Sequence, residues 1–200
     1  MSNPKPQNYI FCPFCAGILE TKIEEGRPIK YCLEHGKFYP KHDITVGGIA
    51  VRFNPIGRYL ETLMVLRKKE PHLGKWSFPA GFVSYGELPD HALVREVREE
   101  TGLTVVRYKL LEERVSDDDP RSPKQQARYF KMVVTGNTKV SDKEEIAGLK
   151  WYRLDIDTVP EIAWGHHETL FKRMKARGGL DMFIREYDWL SHYVAEGGQK

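Results

Sequence analysis

The sequence predicts an α/β protein: a mixed α/β sandwich preceded by a small metal-stapled module. Three observations predict it. Apolar, β-branched runs lie on both sides of one amphipathic helical segment at 89–101, and further helical periodicity closes the chain. The three cysteines all fall at or before position 32, too few and too confined for a disulfide framework. Glycine-rich fingerprints of the G-x-G-x-x-G or G-x4-G-K-[ST] type are missing, which argues against a doubly wound nucleotide-binding sheet.

The 200 residues suit one substantial domain with a small attachment. We divide them into a ribbon over 8–41, a main domain over 42–178 and a C-terminal helical extension over 179–200. A hydrophobic content of 40% beside 30% charged residues is ordinary for a soluble chain. Apolar runs fall far short of a membrane span, and the opening MSNPKPQN is too polar for a signal peptide, so the reading is cytoplasmic with no membrane partner. The formal charge of +3 comes from interspersed charges rather than a basic stripe, so nucleic-acid binding is not favoured.

Cys12-Pro13-Phe14-Cys15 and Cys32-Leu33-Glu34-His35 form a C-x2-C…C-x2-H array. This is the pair spacing of structural Zn2+, held in a tetrahedral shell of three thiolates and one imidazole. Between the pairs, 17–21 and 27–31 read as short strands joined by a polar turn at 24–26. So small a segment has almost no core, and the metal supplies much of its folding energy. With four protein ligands no position stays open for water, which makes the zinc structural. The architecture resembles a zinc ribbon, read here as a packing module in preference to a nucleic-acid or protein adaptor.

In the main domain, 44–53 reads as a strand with a Gly47-Gly48 interruption, and 61–67 as its hairpin partner around a turn at 54–57. After a polar loop at 68–75, 76–78 is a short extended piece leading to Pro79-Ala80-Gly81. Pro89 suits a first helical turn, where its missing N–H costs nothing. That helix runs to Thr101, Gly102 ends it, and Ala92, Leu93 and Val97 form its apolar side. Strands follow at 105–114 and 127–134, separated by a flexible, charged loop at 116–125, and another strand at 149–154. Residues 165–177 read as a helix carrying His166 and His167. Residues 180–194 read as a last helix, whose Phe183, Tyr187, Leu190 and Tyr193 stripe is core or dimer surface rather than a ligand box.

The chemistry concentrates at 81–103. Glu96 and Glu100 lie one turn apart on one helix face with Glu99 beside them. Like charges at that spacing repel, so the cluster calls for a cation, and a hard, oxygen-seeking Mg2+ or Mn2+ fits.

The pattern Gly81-x5-Glu87-x7-Arg95-Glu96-Val97-x-Glu99-Glu100-x-Gly102-Leu103 resembles the complete box of the Nudix hydrolases. The resemblance implies an α/β/α Nudix sandwich with a mixed sheet, and hydrolysis of a nucleoside diphosphate linked to another moiety. It further implies that Glu96, Glu99 and Glu100, with the main-chain carbonyl of Ala80 or Gly81, hold Mg2+ or Mn2+. Glu87 and Arg95 correspond to the pair that braces loop against helix. A fixed cation cluster stabilises charge that builds on the diphosphate and acidifies the attacking water. For the base, Glu99 competes with a later acidic residue, Glu144 or, close behind it, Glu145. Arg52 and Arg67 lie on strands that enter the site in the family. Arg128 is a further candidate cation for phosphate, and Trp76 either packs beneath the loop or stacks on a base.

A ribbon before such a domain is similar to the NADH pyrophosphatases, but their SQPWPFPxS-like stretch after the box is missing here. Residues 162–168 (IAWGHHE) resemble the AFDH-type stretch of ADP-ribose and related Nudix hydrolases. The leading expectation is hydrolysis of ADP-ribose or a similar compound to two monophosphates by metal-activated water. The alternatives are an NADH, nucleoside-triphosphate or RNA-cap hydrolase, and a non-catalytic nucleotide-binding regulator. Family relatives are commonly dimers, so the resemblance allows a homodimer beside the nucleotide-type substrate.

Overall fold

The computed structural model describes residues 10–38, 43–54, 56–122, 124–155 and 158–176. The N-terminal module is a three-stranded antiparallel sheet of β1 (Glu20–Glu24), β2 (Arg27–Cys32) and β3 (Gly36–Phe38). Its small buried cluster is Cys12, Leu19 and Cys32, with Phe38 packed against it. The first strand begins later than 17, because Ile18 is engaged in a bridge to Phe11 across the Cys12–Cys15 turn. Strand β3 was not foreseen; it is only three residues long, too short to show a period.

The main sheet runs β10-β5-β4-β9-β8, with β6 on β5 and β7 on β4. Its members are β4 (Ile44–Asn54), β5 (Tyr59–Arg67), β6 (Trp76–Ser77), β7 (Ala80–Phe82), β8 (Thr104–Ser116), β9 (Gln125–Thr135) and β10 (Ile146–Arg153). Among the described strands only β4 and β9 pair in parallel, so the sheet is mixed as expected. Helix α1 (Pro89–Thr101) connects β7 to β8, and α2 (Gly165–Ala176) follows β10.

Strand alternation sends neighbouring residues to opposite faces and builds two cores. Ile49, Met64 and Tyr129 pack with Leu170, Phe171 and Met174 of α2. Ala50, Leu63 and Phe130 pack with Ala92, Leu93 and Val97 of α1. The sheet is therefore the filling of an α/β/α sandwich. The three α2 side chains are fully buried, worth about 1.5–3 kcal/mol each in apolar transfer.

Ala80–Phe82 is a strand that was not foreseen, because β4 offers it an antiparallel partner that no local pattern announces. The 116–125 segment, expected to be a flexible, charged loop, is instead tied down: Ser116, Asp119, Ser122 and Gln125 are all buried. Ser122 Oγ donates to Asp43 Oδ2 at 2.5 Å, and Arg121 chelates Asp119. The expected helix at 180–194 and the extension at 179–200 lie outside the described residues. No helix among the described residues is long and apolar enough to cross a membrane.

Candidate active site

The β7–turn–α1 segment fixes the acidic residues before any ligand arrives. Pro89 sits at the start of α1, and Gly102 ends it in the left-handed region (φ 71°), its N–H bonded to the Arg98 carbonyl. Arg95 holds the segment together. Its Nε and Nη2 donate to the two oxygens of Glu87, each at 2.9 Å, and Nη2 also donates to the Phe82 carbonyl at 3.0 Å. Glu87 accepts a further N–H from Ser84. The Arg95 guanidinium, then this amide, hold the Glu87 carboxyl down at about 2. Arg95 Nη1 reaches Glu96 at 2.7 Å and Glu99 at 3.1 Å, standing as a cation between them.

Glu100 is buried and accepts the Ala80 N–H at 3.1 Å. Burial, reinforced by the charge of Glu96, pushes its carboxyl well above the ordinary range. Burial also raises Glu96, with Arg95 working against it. Glu96 rests on the backbone of Gly81, where a Cβ would lie 2.0 Å from its Cδ. Two desolvated carboxylates one turn apart form a site that a bound cation would relieve.

These groups open into a cleft of about 350 Å³. Thr45 and Val46 of β4, Ala80–Phe82 of β7, and Arg95 and Glu96 of α1 form one part of its lining. Arg67, Asp119, Arg121, Gln125, Glu145, Trp164, His166 and His167 complete much of the rest. Arg67 donates to the Pro71 carbonyl at 3.0 Å and lies 5.2 Å from the Trp164 ring centroid. Its affinity for its proton is lowered by burial and then by the like charge of Arg121. Arg121 contacts both oxygens of Asp119 through Nε (3.0 and 3.2 Å) and one through Nη2 (2.7 Å), and lies 5.4 Å from the Phe82 ring centroid. His167 accepts the Phe78 N–H on Nδ1 at 3.2 Å, and burial depresses its basicity strongly, so it is neutral with the proton on Nε2. His166 Nδ1 lies 2.7 Å from Asp118.

Of the candidates read from sequence, Arg95, Glu96, Ala80, Gly81 and Arg67 meet at this cleft. Glu99 is half exposed and turns to a separate groove with Arg98 and Ser141. Glu145 lines the cleft, whereas the Glu144 side chain is 88% exposed and 3.7 Å from Lys69. Glu87, Glu99, Glu100 and Glu144 are not among its lining residues, and neither are Arg52, Arg128 and Trp76. Arg52 is paired with Glu61 at 2.6 Å beneath the Trp151 ring, and Arg128 is paired with Glu113 at 2.6 Å across β8 and β9. Trp76 packs edge-on against Tyr152.

Sequence reading missed Thr45, Asp119, Arg121 and Gln125. A faint signal existed for one pair: Asp119 two residues before Arg121 is an Asx-turn spacing, and the Arg121 N–H does bond Asp119 at 2.9 Å.

In the N-terminal module, the ligand-type atoms of Cys12, Cys15, Cys32 and His35 all lie within 4.8 Å of one another. Individual separations are 3.6 Å for Cys15–Cys32, 3.7 Å for Cys32–His35 and 3.9 Å for Cys12–His35. A tetrahedron with Zn–S bonds of ~2.3 Å has edges of about 3.8 Å, so the donor set fits zinc in chemistry and spacing.

Residues 42–173 match the family profile described as the NUDIX domain. The chain is 30% identical over 148 residues to the ADP-ribose pyrophosphatase of Methanocaldococcus jannaschii, covering 74% of this chain and 82% of that one. It is 32% identical over 153 residues to a human NAD-capped RNA hydrolase, covering 72% of this chain but only 31% of the longer human protein. Among solved structures, the NUDIX domain of Shewanella oneidensis NrtR, complexed with ADP ribose, superposes with a TM-score of 0.60 at 19% identity, over 75% of this chain and 94% of that one. At that identity the likeness speaks for the fold alone.

Proposed function

Because the chain belongs to the Nudix family and is one of its pyrophosphohydrolases, we propose that this cleft hydrolyses the diphosphate bridge of ADP-ribose or a closely similar compound. The observation that carries the reading is one cleft joining the Glu96 carboxylate to the Arg67 and Arg121 guanidinium groups. The first can serve a cation, and the others the non-bridging oxygens of a diphosphate. The relationship to the archaeal ADP-ribose pyrophosphatase supports this substrate over the alternatives.

Glu96, Glu99 and Glu100, with the carbonyl of Ala80 or Gly81, would hold Mg2+ or Mn2+. When bound, that ion supplies positive charge to the diphosphate oxygens and acidifies water. The chain's own residues do the rest. Arg95, anchored on Glu87 by two bonds and on Phe82 by a third, keeps the loop and helix in one geometry. Arg67 and Arg121 orient the phosphates, and Asp119 fixes the Arg121 plane. Glu145, on the cleft wall, takes the part considered for Glu144 and accepts the proton of the attacking water. Glu99 is the competing base. The water oxygen bonds to one phosphorus, the bridging P–O bond breaks, and two monophosphates leave without a covalent enzyme intermediate. In the N-terminal module, Cys12, Cys15, Cys32 and His35 would hold a structural Zn2+.

Turnover of ADP-ribose, NADH, NAD, diadenosine polyphosphates, nucleoside triphosphates and capped RNA in Mg2+ or Mn2+ tests this reading, with E96Q and E99Q as controls. Selective release of AMP and ribose 5-phosphate from ADP-ribose, lost in the controls, is expected. Preference for capped RNA would instead favour a second reading, which has its own support. The module exposes Phe11 and Phe14, apt for stacking on bases, and the human relative is an RNA hydrolase.

A further inference from the structure

Gln125 stands at the first position of β9, with only 5% of its surface exposed. Its side-chain Oε1 is buried without a hydrogen-bond partner among the described residues. A buried carbonyl oxygen without a donor forfeits the hydrogen bond it would make in water, and it calls for a partner that the described residues do not supply. Gln125 also lines the cleft that holds Glu96, Arg67 and Arg121.

The missing partner has a definable chemistry. Phosphate oxygens only accept and a metal ion only takes lone pairs, so either would use half of a carboxamide. A planar group with a donor beside an acceptor would use both halves, as adenine does through its 6-amino group and adjacent ring nitrogen. The surroundings suit a flat heterocycle: Phe82 and the rings of Tyr129, His166 and His167 line the same cleft.

We infer that Gln125 is a specificity-determining residue that pairs with the adenine edge of the substrate. The inference rests on the cleft being the nucleotide site and deepens that reading by naming which half of the substrate is recognised here. A nicotinamide carboxamide has the same donor–acceptor chemistry and is the competing source.

Binding of monophosphates tests the inference whichever diphosphate is hydrolysed. AMP, purine riboside 5′-monophosphate (which lacks only the 6-amino group) and nicotinamide mononucleotide are titrated calorimetrically into wild type and Gln125→Met, a side chain of equal length with no polar end. Wild type is expected to bind AMP about tenfold tighter than its 6-deamino analogue, and Q125M is expected to erase that ratio. An equal ratio in both proteins overturns the inference, as does a loss in Q125M confined to nicotinamide mononucleotide. A purely structural Gln125 would weaken all ligands together and leave the ratio standing. If Q125M does not fold, Gln125→Ala serves in its place, and a wild-type ratio near one is decisive by itself. Tight, Gln125-dependent AMP binding without ADP-ribose turnover would leave the inference standing and remove only the choice of substrate.

Discussion

Glu96 lies against the Cα of Gly81, and no side chain can be placed there without moving it. Gly81→Ala is therefore expected to lower kcat about a hundredfold by misplacing one carboxylate, with little change in melting temperature. Steady-state kinetics beside a thermal melt separate the two effects, and unchanged kinetics would remove Glu96 from the machinery. Glu100 makes the complementary case. It is buried beside a like charge, with the Ala80 N–H as its hydrogen bond. Glu100→Gln should raise the melting temperature of the metal-free protein, by about 2–4 °C per kcal/mol relieved, and abolish the further rise produced by Mg2+. Differential scanning calorimetry with and without Mg2+ reads both arms, and a fall in the metal-free melting temperature would show that the buried carboxylate is not under strain.

Helix α1 was legible almost to the residue, because its signals are local: Pro at the start, glycine at the end, and apolar positions at helical spacing. Its C-terminus is also tightly fitted. Gly102 has φ 71°, and a Cβ there would meet the Lys139 carbonyl at 3.2 Å. Gly102→Ala should cost about 1–2 kcal/mol, measurable as a lower urea midpoint. Strand β7 and the burial of the 116–125 loop were not legible, since each is defined by partners far away in sequence: β4 for the former, Asp43 for the latter. Helix α2 carries a pH dependence. His167 is held neutral by burial, whereas in the unfolded chain it titrates near 6.5. Below that pH the unfolded state binds a proton the native state does not, so stability is complete above about 6.5 and falls as pH drops, by up to about 1.4 kcal/mol per unit. His167→Gln keeps an acceptor for the Phe78 N–H and should flatten that part of the urea-stability profile between pH 7 and 5. Parallel profiles for the two proteins would contradict the assignment.

Across the whole molecule, the two candidate metal sites differ in how much of their geometry the sequence disclosed. The Cys/His array could be read from pair spacing alone, and its donor atoms do converge. Metal analysis should find one zinc per chain, and chelation should accelerate amide exchange in β1 and β2 while β4 and β5 stay protected. Equal protection before and after chelation would mean the ribbon does not depend on zinc. The acidic helix was equally plain in sequence. Most of the opposite wall of its cleft was not: Arg67 was anticipated, but Thr45, Asp119, Arg121 and Gln125 are brought together only by the tertiary fold, in which Thr45 pairs with Ala127.

That parallel pairing of β4 with β9 also dictates when the protein becomes competent. During synthesis the acidic helix leaves the ribosome before the strand beginning at Gln125 has been made, so the helix exists for a time with only part of its cleft. Joining strands so distant in the chain is the kind of high-contact-order step that limits folding speed. Nascent chains stalled before β9 should therefore carry the entire acidic motif and still be unable to retain nucleotide, competence arriving only after β9 has docked and Glu145, Trp164, His166 and His167 have joined the same cleft.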